Sequence, residues 1–298
     1  MKRRKRQYRT IKKFFRNPLG VIGLFLLVFF VVLAILAPVL APPAWQDEPY
    51  RIPRDGFSPT PKPPNEEHPF GTTEGQYDIY YGIIWGTRSA WVVSLIVVGC
   101  SAVIGIILGS IAAFYGGWLD EVIMRITDIF YAFPFLVGAM VLTTILGRGL
   151  DNVMIALIAL GWMGYARLIR GDILQIREAE YVLAARAAGA GSFRLLTRHI
   201  WPNAIWPVVV QGTMGMGSIV ITAAALSFLG VGAPMGYADW GQLISFSRNW
   251  VIGFQGNPLA YWYVVVYPSI AITLFCLSWN LVGDALRDIL DPRLRGVM

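Results

Sequence analysis

The feature that most constrains this chain is a series of long stretches without a charged side chain. They cover residues 17–46, 89–119, 129–147, 152–166, 199–238 and 249–283. A helix needs about 20 apolar residues to cross a hydrocarbon core about 30 Å thick. Because soluble domains show their apolar residues as periodic stripes, runs of this length predict an all-α integral membrane protein.

The runs predict six transmembrane helices. We place them near residues 20–41, 90–115, 125–147, 151–170, 203–230 and 260–282. Composition agrees, since 56% of the residues are hydrophobic and 14% are charged, whereas soluble domains carry about 25% charged residues. These figures argue against a soluble enzyme, a disordered tail and a secreted disulfide scaffold.

The first apolar run follows a basic tail and could be read as a cleaved secretory signal. Its apolar core is about 20 residues long, whereas the core of a signal peptide is about 7–15 residues long. Pro38, Pro42 and Pro43 also crowd any cleavage site. We therefore predict a retained signal anchor.

The basic residues predict the orientation. With the N-terminus inside, 19 of the 25 Lys and Arg residues fall on the cytoplasmic side. This bias follows the positive-inside rule and places both termini in the cytoplasm. It also accounts for much of the net charge of +7, so we expect no nucleic-acid partner. The cytoplasmic segments are 1–19, 116–125, 167–200 and 283–298.

The spans divide the chain into parts. We expect a basic tail and first span over 1–41, an external loop over 42–88, a five-helix core over 89–283 and a tail over 284–298. Proline is dense in the external loop and forbids long helices there. The loop is therefore expected either as an extended arm on a neighbour or as a loosely ordered segment.

Two details of the spans have more than one interpretation. Gly105 and Gly109 are four residues apart, which suits close helix packing either between subunits or within one. Arg125 and Asp128 are three residues apart near the cytoplasmic end of the third span, and we expect a local ion pair between them.

Residues that would carry catalysis are scarce. No lysine follows a glycine, as a Walker A loop requires. His68 and His199 are the only histidines, and Cys100 and Cys276 lie in apolar runs without metal-ligand spacing. We expect no enzyme activity, no metal and no cofactor in this chain, so energy for any transport must come from partners.

The longest cytoplasmic segment is 171–202, and it reads as two short helices. The first is rich in alanine, a strong helix former. Gly189 would end it in the left-handed conformation, and Ser192 would cap the second helix. The small side chains of the turn would leave a smooth surface for a partner's groove.

This segment carries a resemblance to a known family. Ala184-Ala185-x-x-x-Gly189, followed thirteen residues later by Pro202, resembles the EAA motif of permease subunits in binding-protein-dependent ABC importers. Further motifs resemble the second (C-type) subunit of the dipeptide/oligopeptide/nickel group. They are Tyr181–Ala190, Arg198–Asn203, His68–Thr72, Gly116-Gly117-x-x-Asp120, Met124-Arg125-x-x-Asp128, Leu226–Gly230, Trp240-Gly241 and Asn280–Arg293.

The chain departs from the family pattern at several places. Leu183 stands where the glutamate of the EAA motif would fall, and Trp201 replaces the usual leucine. Three external segments, 73–78, 235–239 and 253–256, also differ from the pattern. The external departures bear on the substrate more than on the mechanism.

The resemblance implies a type I ABC importer permease core with an extra N-terminal span and a cytoplasmic coupling helix pair. Implied partners are a homologous B-type permease, two ABC ATPase subunits that use ATP and Mg, an extracytoplasmic solute-binding protein and the lipids of the cytoplasmic (inner) membrane. The implied substrate is a peptide, with oligosaccharide as the alternative and nickel as a weaker one. ATP-driven closure would move residues 186–196 and switch the spans between two states.

Two groups of site residues follow from the resemblance and the pattern. The implied ATPase contact consists of Glu180, Ala185, Arg186, Ala187, Gly189, Ala190, Phe193 and Arg194. Candidates for the translocation path are Gln211, Thr213, Met214, Met216 and Ser218, because flexible Met and small polar side chains suit a promiscuous passage. Ordinary packing is the alternative for each path residue.

Overall fold

The computed structural model describes residues 14–250 and 259–290. The described residues form helices, with strand pairing limited to three isolated bridges. The helices are α1 (Pro18–Leu40), α2 (Ile79–Tyr115), α3 (Gly117–Tyr131), α4 (Phe135–Leu146), α5 (Leu150–Ile176), α6 (Glu180–Ala187), α7 (Ser192–Phe228), α8 (Trp240–Ser245) and α9 (Trp262–Leu290). Within α7, Leu195–Ile200 is a π-helical turn.

Five helices in the described ranges, α1, α2, α5, α7 and α9, are long and apolar enough to cross a membrane. The third predicted span is a bent pair, since α3 and α4 meet at 89° and together make a sixth crossing if they are one span. The break lies at Pro134, which lacks a backbone N–H and disfavours a helical Phe133. The predicted all-α membrane architecture is confirmed, with this span bent.

The proline-rich external loop is ordered against its own chain. The rings of Tyr50 and Tyr237 stack with centroids 5.3 Å apart, and Trp85 Nε1 donates to the Ala41 carbonyl at 2.9 Å. The loop ends at Asp78, whose carboxylate accepts the backbone N–H of Tyr81 at 2.8 Å. Helix α2 therefore begins at Ile79, earlier than the span predicted to start near residue 90.

Close helix packing holds the membrane part together. A Cβ atom on Gly105 would lie 2.5 Å from Cβ of Tyr165, and one on Gly109 would lie 2.5 Å from Cγ2 of Ile169. These two glycines therefore pack α2 against α5 within one subunit. At the other edge, a Cβ atom on Gly20 of α1 would lie 2.7 Å from Cβ of Ala285 on α9.

The predicted ion pair between Arg125 and Asp128 is wrong. Arg125 lies 3.9 Å from Glu121, and Asp128 instead accepts Nη2 of Arg167 at 2.6 Å. The acid thus pairs across two helices rather than along one. The basic tail through residue 13, the external segment 253–256 and the final residues 291–298 lie outside the described residues.

Candidate functional site

The cytoplasmic loop begins where α5 ends, and an arginine fixes that end. Arg177 donates from Nη1 to the Ala113 carbonyl of α2 at 2.9 Å and from Nε to Glu178 at 3.0 Å. The backbone N–H of Ala179 donates to the Ile176 carbonyl at 3.0 Å, and α6 follows at once. The exit of the loop from the membrane is therefore tied to two spanning helices.

Gly189 ends α6 in a left-handed turn, as the sequence predicts. Its φ is +82°. The N–H of Ala190 donates to the Ala185 carbonyl and that of Gly189 to the Arg186 carbonyl, both at 3.0 Å. This pair of bonds is the Schellman motif, which satisfies the last carbonyls of a helix. The turn is thus held by backbone bonds rather than by side-chain packing.

The second helix of the loop starts differently from the prediction. Gly191, not Ser192, occupies the cap position, and the Ser192 side chain makes no cap bond. Instead the N–H of Leu195 donates to the Gly191 carbonyl at 3.0 Å. A residue without a side chain thus stands at the tip beside Gly189.

The loop has a buried side and an exposed side. Val182, Leu195 and Ile200 pack into an apolar cluster with Ile169 and Ile173 of α5. Phe193, by contrast, is 79% exposed. The exposed Phe193 ring, on a segment whose opposite side is anchored, leaves apolar surface that a partner could cover.

The predicted ATPase-contact residues all lie on this loop. Two of them, Ala185 and Ala190, are half-buried against the apolar cluster. The others are exposed: Glu180, Arg186, Ala187, Gly189, Phe193 and Arg194.

A cavity of about 360 Å³ lies on the membrane helices beside the α3–α4 break. Its walls come from α2, the break itself, α5 and α7. In the described part of the chain they carry no charged side chain. The lining residues are Val97, Val98, Ser101, Phe130, Tyr131, Phe133, Pro134, Phe135, Gly138, Leu160, Gly161, Met163, Gly164, Tyr165, Gln211, Gly215, Ser218, Ile219 and Thr222.

The α7 wall of the cavity is one helical face. Gln211, Gly215, Ser218 and Thr222 line it, and their spacing of four, three and four residues places them on one side of a helix. Gly215 is closely packed there, because a Cβ atom on it would lie 2.9 Å from the Tyr165 hydroxyl. The wall offers neutral hydrogen-bonding groups among apolar surface.

The five predicted path residues separate into two groups. Gln211 and Ser218 line the cavity. Thr213 is buried and donates to the Val209 carbonyl at 2.8 Å. Met214 lies against Gly283 of α9, and Met216 packs against the apolar cluster of the loop.

Sequence reasoning missed several lining residues, among them Gly215, Thr222 and Tyr165. The spacing from Gln211 along α7 was the available signal for the first two. Tyr165 lies on another helix, and nothing local in the sequence links it to Gln211. Among the described residues, no three His, Cys, Asp or Glu side chains cluster in a way that could hold a metal ion.

Two family profiles match the chain. The profile described as binding-protein-dependent transport system inner membrane component matches residues 105–296. The profile described as the N-terminal TM domain of oligopeptide transport permease C matches residues 8–64. Together they cover the first span and the helical core from Gly105 of α2 onward, including the cytoplasmic loop.

Similar proteins are found along nearly the whole chain. The dipeptide transport system permease protein DppC of Alkalihalophilus pseudofirmus is 36% identical over 96% of this chain and 90% of its own length. The oligopeptide transport system permease protein OppC of Bacillus subtilis is 35% identical over 95% and 88%. The probable D,D-dipeptide transport system permease protein DdpC of Escherichia coli is 35% identical over 94% and 89%. The chain therefore belongs to the family of inner-membrane components of binding-protein-dependent transport systems, within the C-type permease group.

Proposed function

We propose that this chain is the C-type permease subunit of an ATP-driven peptide importer. The observation that carries the proposal is the exposed Phe193 on a loop whose other side is buried through Val182 and Leu195. Such a segment transmits force to the membrane helices, because its apolar anchors resist displacement. We assign the loop 171–202 to contact with an ATPase subunit.

The chain would work in a heteromeric complex. A homologous B-type permease would form the translocation path with it, and a solute-binding protein would deliver substrate from outside. Two ATPase subunits would bind ATP and Mg and carry out hydrolysis, with no cofactor held by this chain. Both termini would lie in the cytoplasm, consistent with the distribution of Lys and Arg.

Peptide is the proposed substrate class. The relatives reported above are named for dipeptides and oligopeptides. An uncharged cavity wall with hydroxyl and amide groups also suits peptides, because it can hydrogen-bond a peptide backbone without selecting for side-chain charge.

Purification and reconstitution test the assignment. The tagged subunit, extracted gently, should bring with it a second permease, ATPases and a binding protein, identified by mass spectrometry. In liposomes, the complex should take up a peptide only with the binding protein outside and ATP inside. Recovery of the subunit alone, or uptake of an oligosaccharide in preference to a peptide, would contradict the function or its substrate.

Cysteine labelling tests the path. With Cys100 and Cys276 replaced by alanine, Ser218→Cys should react with a polar thiol reagent about tenfold faster than Thr213→Cys, because only Ser218 faces the cavity. Peptide transport should slow the reaction at position 218. Equal rates at both positions would contradict a path along this face.

A further inference from the structure

Helix α3 is weakly attached to the rest of the subunit by apolar packing. Thr127 is its one buried residue. Trp118 and Ile129 are 71% and 56% exposed. The helix also follows Gly116, whose φ of +66° is readily adopted only by glycine. Apolar burial alone therefore does little to fix where α3 lies.

Two ion pairs join α3 to α5 instead. Asp120 accepts Nε of Arg170 at 2.5 Å and Nη2 at 2.6 Å. Asp128 accepts Nη2 of Arg167 at 2.6 Å. The guanidinium of Arg167 also lies 4.4 Å from the centroid of the Tyr131 ring. We call these two pairs the α3–α5 clasp.

The Asp120–Arg170 pair is the stronger part of the clasp. Its side chains are 20% and 30% exposed, whereas those of Asp128 and Arg167 are 58% and 48% exposed. A bidentate arginine–carboxylate pair is stronger and more directional than a single contact between mobile side chains. Reduced exposure also lessens the screening by water and salt, because of which exposed ion pairs contribute little to stability.

The clasp lies between the two candidate sites. On α5, Arg170 lies within two turns of the helix end at Ile176, and the adjacent Ile169 and Ile173 are fully buried in the cluster that anchors the loop. On α3, the far end at Tyr131 leads into the break that forms a cavity wall. If a displacement of the loop moves α5, the two ion pairs would therefore move α3 with it, and the cavity wall at the α3–α4 break would shift.

We propose that Asp120 and Arg170, supported by Asp128 and Arg167, are positioning residues that make α3 move with α5 when ATP drives the cytoplasmic loop. The inference rests on the proposed function, since it needs an ATPase acting on the loop. It gives a role to the motifs Gly116-Gly117-x-x-Asp120 and Met124-Arg125-x-x-Asp128. With these ion pairs broken, the loop would still bind the ATPase, but the part of the cavity wall at the α3–α4 break would no longer follow α5.

Coupling measurements test the role in the assembled complex. Asp120→Asn should lower peptide uptake about tenfold, the size expected from losing hydrogen bonds to a charged group, while ATP hydrolysis stays close to wild type. The ratio of ATP hydrolysed to peptide imported should therefore rise. The exchange Asp120→Arg with Arg170→Asp should restore part of the uptake. Glu121→Gln is the matched control, because its pair with Arg125 is over 70% exposed on both sides.

A distance measurement tests the motion even if the variants assemble poorly. Spin labels at Trp118→Cys on α3 and Gly171→Cys on α5, in the chain with Cys100 and Cys276 replaced by alanine, report the separation of the two helices. Both sites are exposed. In the otherwise wild-type complex, the separation should be the same with and without bound ATP.

The outcomes separate the inference from the proposed function. A separation that changes with ATP, or a parallel fall of uptake and hydrolysis in Asp120→Asn with no rescue by the exchange, would overturn the clasp as a coupling element. Unchanged uptake in Asp120→Asn would overturn it as well. If the wild-type complex imports no peptide although it hydrolyses ATP, the proposed substrate is wrong. The comparison of the label separation with and without ATP then still tests the inference.

Discussion

Replacing Phe193 with alanine is the sharpest test of the loop as an ATPase contact. The side chain is 79% exposed in the subunit, so most of its surface is free for a partner to cover. Fully burying a Phe side chain contributes about 1.5–3 kcal/mol. If a partner covers the exposed fraction, the substitution costs about 1.2–2.4 kcal/mol of binding, or about 7- to 50-fold in Kd.

The assay is a titration of the purified permease pair, in lipid nanodiscs, with the ATPase subunits. Phe57→Ala is a matched control, because Phe57 is also 79% exposed but lies in the external loop. Thermal unfolding of both variants should equal that of the wild type, since neither ring is buried. The reasoning is refuted if Phe193→Ala leaves the Kd unchanged, or if Phe57→Ala weakens ATPase binding equally.

Further substitutions test the turn, the helix contact and the loop anchor. Gly189→Ala should destabilise the loop by about 1–2 kcal/mol because φ is +82°. Gly191→Ala, at a cap position with φ of −66°, carries no such backbone strain and should cost less. Hydrogen exchange of the loop amides distinguishes the two variants. Gly109→Val should lower the free energy of unfolding by about 3 kcal/mol by overpacking α2 against α5. Gly99→Val is the control, because its Cβ would meet open space. Equal melting temperatures of the two variants would contradict the packing. Arg177→Ala should lower the melting temperature by removing a charged donor from a carbonyl, and Arg177→Lys should restore part of it.

The sequence predicts the spans well because hydropathy over about 20 residues records the solvent that a helix meets. It predicts the turn at Gly189 well because the left-handed conformation is a local property. The bend between α3 and α4 is missed, although Pro134 is visible, because hydropathy stays high across it. The order of the external loop is missed because it depends on distant partners, such as Tyr50 and Tyr237.

Two of the five predicted path residues, Gln211 and Ser218, line the cavity, and the others do not for a physical reason. The polar and flexible residues of α7 lie on more than one face of the helix, and residue type alone does not say which face each one occupies. Adjacent positions on a helix are about 100° apart, so Gln211 and Thr213 point in different directions. The opposite wall, which includes Tyr165, comes from another helix, and only tertiary structure brings the two together.

The length of α2 has a mechanical consequence. Its 37 residues extend about 55 Å, well beyond a hydrocarbon core of about 30 Å. Its outer end is bonded to the external loop through the Tyr81 hydroxyl, which donates to the Pro49 carbonyl, and its inner end accepts a bond from Arg177 beside the cytoplasmic loop. Helix α2 is thus one continuous element that links the two aqueous surfaces. A tilt of about 10° about one end would displace the other by about 10 Å. Under the proposed function, a small rotation at the end beside the loop 171–202 would therefore become a large displacement at the end beside residues 42–88.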